Sequence, residues 1–424
     1  MGFEQGLSGL EASTQNLSVI GNNVANSSTV GFKSSEVLFS DVYANSLTGA
    51  GATQVGLGVK VAQVEQQFTQ GNITSSTNPL DIAINGGGFY QMSHNGTINY
   101  SRNGQFQVDK NGYLINAAGD RLQGYAANAA GILQTGSTTN LQINTANIAP
   151  SATTKIKAVL NLNSGSAVPG PVGGPRPPFL ATDPTTYNNA SSVTIYDSEG
   201  HSHVLQTFYV KTGTAGGASG TEATWNVYAT LDGTNVGAGV PPPAIGTLTF
   251  SPTGAIDTVA TTLPFAMALT VATGAVTPMN VNLDFTGTTQ YGAPFSSTSL
   301  TQDGYTSGQL SGFSASANGT IVGSYTNGQS ATLGQITLAN FTDPNGLQSL
   351  GNNEWASTAT SGQALVGVAG TGLFGVLQSS STEDSNVDLT AQLVNMITAQ
   401  EDYQANAQTI KTENTLLQTL VNLR

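Results

Sequence analysis

Two histidines at alternate positions can share one strand face and hold a metal, and His201 and His203 in DSEGHSHVLQTF are such a pair. A metal centre needs further ligands at recognisable spacing. None follows here, and the pair comes directly after a turn, where polar residues are ordinary. The run Gly370-Thr371-Gly372-Leu373-Phe374-Gly375 matches G-x-G-x-x-G behind the apolar stretch ALVGVAG. A dinucleotide fingerprint also needs a helix opening at the third glycine and an acid about twenty positions on. Instead VLQSSS follows and Glu383 arrives too soon. INGGGFY (84–90) lacks the Gly-Lys-Ser/Thr ending of a phosphate loop. Asp81 and Asp109 could be imagined as a glycosidase carboxylate pair, yet both stand beside turn residues, the usual place for a turn-capping Asp. The sequon Asn72-Ile73-Thr74 is a chance match in a chain this rich in Asn, Ser and Thr. No catalytic, metal-binding or cofactor-binding set emerges, so the expectation is a non-enzyme without cofactor.

Composition points the same way. Charged residues make up 8% of the 424, against roughly 25% in an average globular protein. Their place is taken by 51 glycines and many Ser, Thr, Asn and Gln, as in a turn-rich β protein with a polar, uncharged surface. The net charge is −13 and the few bases are scattered. Without a basic patch, neither nucleic acid nor an anionic membrane surface is an expected partner. Cysteine is absent, which removes disulfides and thiolate metal sites. No apolar run approaches the roughly 18 residues of a membrane span, so no membrane insertion is expected. The opening MGFEQGLSGLEA carries Glu4 and Glu11 where a secretory leader would carry Lys or Arg; by the usual signals it reads as cytosolic.

The elements that would position any site begin with the two ends. Phe3, Leu7, Leu10, Thr14, Leu17, Gly21 and Val24 step by four and three, with five of the seven apolar. Leu389, Leu393, Met396, Gln400, Tyr403, Ala407, Ile410, Asn414, Leu417 and Val421 do the same over a longer span, and no Gly or Pro falls between Val387 and Arg424. Ser385 with Asp388 is the expected capping box, and the helix would run about 57 Å at 1.5 Å per residue. A narrow seam on so long a helix needs another helix to cover it. One intramolecular hairpin is one solution. Packing against further copies is the other, favoured because the short N-terminal helix cannot cover the long C-terminal seam. After the first helix comes GNNVANSSTVGFKSSE (21–36), where Asn22, Asn23 and Asn26 read as a helix end with asparagine in a left-handed cap.

Between the helices the pattern is β. Asn-Gly, a strong hairpin signal, occurs seven times, at Asn85, Asn95, Asn103, Asn111, Asn318, Asn327 and Asn345. These fall in two distant blocks, which suggests one β domain built from both. The middle has its own turns, Glu199-Gly200 and Asp232-Gly233, and two proline-rich stretches (168–178 and 240–244) that read as stiff loops or edges. The expected fold class is therefore multidomain α plus mainly β, with terminal helices pairing as a coiled-coil-like bundle and nested all-β domains between them. The expected division is 1–30 with 385–424 (helical), 31–70 with 355–384 (connecting), 71–149 with 293–354 (core β) and 150–292 (inserted outer β).

NNVANSSTVGFK (22–33) resembles the signature of the bacterial flagellar axial proteins, the rod, hook and hook-associated family. DIAINGGGFYQM (81–92) and YSRNGQF (100–106) resemble that family's core β domain. The stretch 385–424 and DPNGLQSLGNNEWASTATSG (343–362) resemble its hook-type members, as does the presence of a large variable insertion. One departure is Glu401-Asp402, where the family usually has an arginine first. The resemblance implies a structural subunit of a self-assembling tube, the flexible hook between basal-body rod and filament. It also implies export of the chain through the flagellar type III channel to the cell exterior. Implied partners are many copies of itself, the rod, hook-cap and hook–filament junction proteins, and the export apparatus. The signature residues Asn22, Asn23, Asn26, Thr29, Gly31, Phe32 and Lys33 become a hinge between tube-lining helix and β wall. The seam residues Phe3, Leu7, Leu10, Leu17, Val24, Leu389, Leu393, Met396, Tyr403, Ala407, Ile410, Leu417 and Val421 become expected assembly contacts. A rod or hook-associated relative, or a secreted glycan-binding β protein with axial-type ends, are the alternative readings.

Overall fold

The computed structural model describes residues 2–42, 56–128, 130–171, 176–217 and 220–422. The chain divides into two compact units: Met1–Thr145 with Ser311–Ser324 and Ser330–Arg424, and Ala146–Leu310 with Tyr325–Gln329. Among the described residues no helix is long and apolar enough to cross a membrane.

In the first unit, helix α1 (Gly2–Ala25) and helix α2 (Leu389–Asn422) pair with each other. At 34 residues α2 spans about 51 Å. It starts at Leu389 because Asp388 is its cap, the carboxylate accepting the N–H groups of Thr390 (2.9 Å) and Ala391 (3.1 Å). Ser385 is therefore not the cap. The Asn386 side chain bonds the carbonyl of Gln67 and the hydroxyl of Thr69 and accepts the Ser34 N–H, which keeps this stretch out of the helix.

The two Asn-Gly blocks share one sheet. Its hub is strand Ser330–Asn340, which pairs with Thr320–Tyr325, Arg121–Ala126, Phe89–His94 and Leu365–Val368. Glu354–Ala356 adds to the far side through Glu354↔Ser101 and Trp355↔Tyr100. Segment 376–383 runs back alongside 73–85 in two short pairings. A dry aromatic cluster of Phe89, Tyr100, Phe341 and Trp355 packs under this sheet, with Phe68 edge-on to Phe89 at 5.4 Å and to Trp355 at 5.5 Å.

Turn chemistry explains which Asn-Gly pairs make hairpins. Asn95 and Gly96 both take positive φ (49° and 94°) in a two-residue turn closed by His94↔Thr97. Asn111, Asn318 and Asn327 sit in slightly longer turns whose glycine is left-handed. Asn85, Asn103 and Asn345 do not make hairpins. A Cβ on Gly104 would lie 1.7 Å from the Ile82 carbonyl oxygen, so that glycine permits a backbone crossing, and Asn345 lies in a short 3₁₀ turn.

The second unit is two facing sheets. One has the order Phe265–Leu269, Met279–Asp284, Lys155–Asn161, Ser296–Gln302; the other holds Asn189–Tyr196, Ser202–Gly217, Gly220–Leu231, Thr234–Asn235 and Gly246–Phe250. Strand Met279–Asp284 (MNVNLD) buries Met279, Val281 and Leu283 and exposes Asn280 and Asn282, the period-two pattern of a half-buried strand. Ile156, Leu160 and Phe285 meet Ile195, Leu205, Tyr209, Trp225 and Phe250 in one continuous core. Asp232-Gly233 makes the same left-handed two-residue turn (φ 48° and 82°). The loop at Val240 is fully exposed, and residues 172–175 of the other proline-rich stretch lie outside the described residues.

Candidate assembly site: the terminal helices and their joint to the β body

The contact between the helices is made of small residues. A Cβ on Gly6 would fall 2.9 Å from Ile410 Cγ1, and one on Gly9 would fall 2.6 Å from Asn406 Oδ1. Ala12, Ser13 and Ile20 of α1 and Ala399 of α2 are buried as well. With no side chain at Gly6 and Gly9, the helices approach closely at those positions.

The expected apolar seam lies largely elsewhere. Phe3, Leu7, Leu389, Leu393, Tyr403 and Leu417 are exposed, while Leu10, Leu17, Val24, Met396, Ala407 and Ile410 are half-buried. Val421 is on the last turn, beyond the described side chains. Three more large apolar residues of α2 join the exposed set although they lie off the heptad: Val394 (58%), Ile397 (58%) and Leu416 (55%). Folding a single chain thus brings Ile410 to the partner helix, leaves six of the thirteen seam residues exposed and covers six others only in part. Counting apolar periodicity missed Gly6, Gly9, Ala399 and Asn406; small residues three apart at Gly6 and Gly9 were the available signal.

The signature segment is a built joint. α1 ends through successive tight turns, Asn26 N–H to Asn22 O, Ser27 N–H to Val24 O and Thr29 N–H to Asn26 O. Asn22, Asn23 and Asn26 are not left-handed, contrary to the expected asparagine cap; the left-handed residue is Gly31 (φ 70°). A Cβ at Gly31 would come within 2.8 Å of the Asn103 backbone nitrogen, and its own N–H donates to Glu383 O at 2.8 Å. Asn22 and Asn26 hold one another by side chain, and Thr29 donates to Asn26 Oδ1. Asn23 is buried. Its amide donates to Ser35 O (2.8 Å) and accepts the Ser35 N–H (2.9 Å), fastening the helix end to strand Ser35–Val42, and it reaches Gln392 Oε1 of α2 at 3.5 Å. Asn353, itself in a left-handed turn (φ 58°), donates to Val30 O at 2.9 Å. Phe32 is half-buried beside these contacts.

Lys33 sits beneath this joint with almost no exposure. Its ammonium donates to Glu383 Oε1 and to Thr69 O, both at 2.7 Å, and Glu383 Oε1 also accepts the Gly71 N–H at 3.0 Å. Arg102 Nη1 lies 3.8 Å from Glu383 Oε2, Nη2 donates to Gly86 O, and the guanidinium sits over Phe89. Burial lowers the Lys33 pKa, and the Arg102 charge adds to that against the pull of Glu383. Two cations on one buried carboxylate tie the end of the signature to segments 69–71 and 383–386 and to the core sheet. Nothing in sequence spacing announces contacts about 350 residues apart.

The two candidate carboxylates have structural partners. Asp81 is braced by Ser76 and Asn78, and Asp109 accepts the N–H groups of Asn111 and Tyr113. Gly370 to Gly375 close a tight turn that leads into strand Val376–Ser379, not a helix. Among the described residues no group of three or more His, Asp or Glu is arranged to hold a metal ion.

Four family descriptions match consecutive parts of the chain. "Flagella basal body rod protein" covers 3–33, "Flagellar hook protein FlgE/F/G D1 domain" covers 83–157, "Flagellar basal body protein FlaE D2 domain" covers 161–305, and "Flagellar basal body rod FlgEFG protein C-terminal" covers 378–423. The flagellar hook protein FlgE of Escherichia coli (strain K12) is 42% identical over 435 residues, covering 100% of both chains. That of Borreliella burgdorferi is 32% identical, covering 99% of this chain and 98% of the relative. Among solved structures, the Helicobacter pylori flagellar hook protein FlgE2 shares the fold at a TM-score of 0.52 and 14% identity, covering 72% of this chain and 99% of that one.

Proposed function

The chain belongs to the flagellar hook protein family, and from that premise we propose that its terminal helices form the self-associating layer of the tube. The protein is a structural subunit of the flagellar hook and serves motility. The observation that carries the proposal is the set of exposed large apolar residues on α2, Leu389, Leu393, Val394 and Ile397 near its start and Leu416 and Leu417 near its end, on a helix whose intramolecular contact uses small residues. Apolar side chains left on water are unfavourable by about 25 cal/mol for each Å², and further copies of the same helices would cover them. The seam residues are then contacts between subunits, and the signature joint fixes the angle at which each helix leaves the wall.

In this reading 1–30 with 385–424 is the inner layer, 31–70 with 355–384 connects it, 71–149 with 293–354 is the wall and 150–292 the outer domain. The compliance of the bending tube belongs to the outer domain, whose polar strand faces would make wet, shallow contacts. The rod, the cap, the junction proteins at the filament end and the export apparatus are the further partners, and the subunit performs no catalysis. A deletion strain complemented with a Leu393→Asp, Ile397→Asp variant tests the central point. Secreted subunit without hooks and without swimming is expected; normal hooks would overturn the reading.

A further inference from the structure

The second unit contains a histidine held between two carboxylates. His203, almost fully buried at the start of strand Ser202–Gly217, faces Asp232 Oδ2 through Nδ1 at 2.7 Å and Asp197 Oδ2 through Nε2 at 3.3 Å. Asp197 is itself fully buried at the end of strand Asn189–Tyr196. Its Oδ1 accepts the N–H groups of Glu199 and His201, and its Oδ2 accepts the Thr273 hydroxyl at 2.6 Å. Asp232 is half-exposed in the turn after strand Gly220–Leu231, and its Oδ1 accepts the Val204 N–H at 2.8 Å. Two other titratable groups share the site: the exposed His201, with Nδ1 3.4 Å from Asp197 Oδ2, and Glu199, 3.8 Å from that same nitrogen.

A neutral imidazole has one N–H and can serve one carboxylate; an imidazolium has two and serves both. We propose that His203 is a pH-operated latch: as an imidazolium it bonds Asp197 and Asp232 together and fastens the 197–201 loop to the 232–233 turn, and on losing its proton it releases Asp232. Asp232 is the group that leaves because water can hydrate a half-exposed carboxylate, whereas Asp197 is buried and keeps the remaining N–H. Burial works to lower the His203 pKa, but the hydrogen bonds and charges of Asp232 and Asp197 outweigh it and raise the value above the ordinary one. For Asp197, burial is outweighed by hydrogen bonds from Thr273, His201, His203 and Glu199; for Asp232, by those from His203 and Val204. Both carboxyls are held below their usual range. The latch therefore stabilises the unit fully below about pH 6.5, the ordinary histidine value, and loses that contribution as pH rises through the higher folded value. On the acid side it persists above about pH 4 and fades as pH falls through the lowered values of the two aspartates.

The chain has three histidines, so ring-labelled histidine in the full-length subunit gives three resolvable NMR titrations. His94→Gln and His201→Gln variants assign them. The latch requires the His203 midpoint to lie above the ordinary value and to fall toward it in Asp232→Asn, with both ring nitrogens protonated at pH 6. A wild-type His203 midpoint at or below the ordinary value would overturn the proposal, and so would one unmoved by Asp232→Asn. Equimolar zinc that shifted His201 and His203 together would also overturn it, in favour of a metal site. The wild-type titration alone decides the matter should the variant fail to fold.

Discussion

The inserted unit and the terminal helices handle apolar side chains in opposite ways. In the former, alternate residues of two sheets interdigitate until Leu248, Trp225, Phe250 and Phe285 have no exposure at all. In α1 and α2 the helices meet closely at Gly6 and Gly9, and several large apolar side chains of α2, among them Leu393, Val394 and Ile397, stay on the surface. A residue's hydrophobicity thus has two fates here, burial in the core of its own unit or exposure on a terminal helix. Under the proposed function the exposed set is the part that further copies cover, whereas the inserted unit has a finished core of its own.

The sharpest way to break that contrast is to substitute both regions and compare folding with assembly. Leu393→Asp with Ile397→Asp should abolish hook formation while moving subunit stability by no more than about 0.5 kcal/mol, as surface changes do. Electron microscopy of basal bodies and urea unfolding of the monomer read the two effects. Trp225→Ala should do the reverse, costing about 3–5 kcal/mol in the inserted unit through cavity formation. The chain's two tryptophans, Trp225 and Trp355, stand one in each unit, so fluorescence from Trp355 reports whether the first unit is unaffected.

Next in size is the joint. Lys33→Ala removes a partner of the buried Glu383, and breaking a buried pair costs about 3–5 kcal/mol; here Arg102 stays close to the carboxylate and moderates the loss to the lower end. Gly9→Val forces the helices apart and should cost about 1–3 kcal/mol, read as lost α1 protection in hydrogen exchange. Asp388→Ala removes the α2 cap for about 1 kcal/mol. The smallest expected effect is a gentle fall in stability of the inserted unit above neutral pH, absent in His203→Asn and checked by melting the monomer between pH 6 and 9.

The sequence made some of this legible and hid the rest for physical reasons. The two helices follow from their apolar steps, and the turns at Asn95-Gly96 and Asp232-Gly233 follow from residues that tolerate positive φ. Asn103-Gly104 misled because a glycine that permits a backbone crossing looks identical to one that makes a turn. The helix contact was hidden because the heptad count records large apolar residues, and close packing is recorded in small ones. The joint was visible as an unusual polar segment, but the clamp of Asn23 on Ser35 and the seating of Lys33 on Glu383 depend on partners that only the fold brings near.

The most direct test of the account follows the Leu393→Asp, Ile397→Asp subunit through both assays at once. The expected result is a monomer with the wild-type unfolding midpoint that forms no hooks. A clearly lowered midpoint would make these residues part of the subunit's own core, and normal hooks from the variant would remove them from the assembly; either result contradicts the proposal.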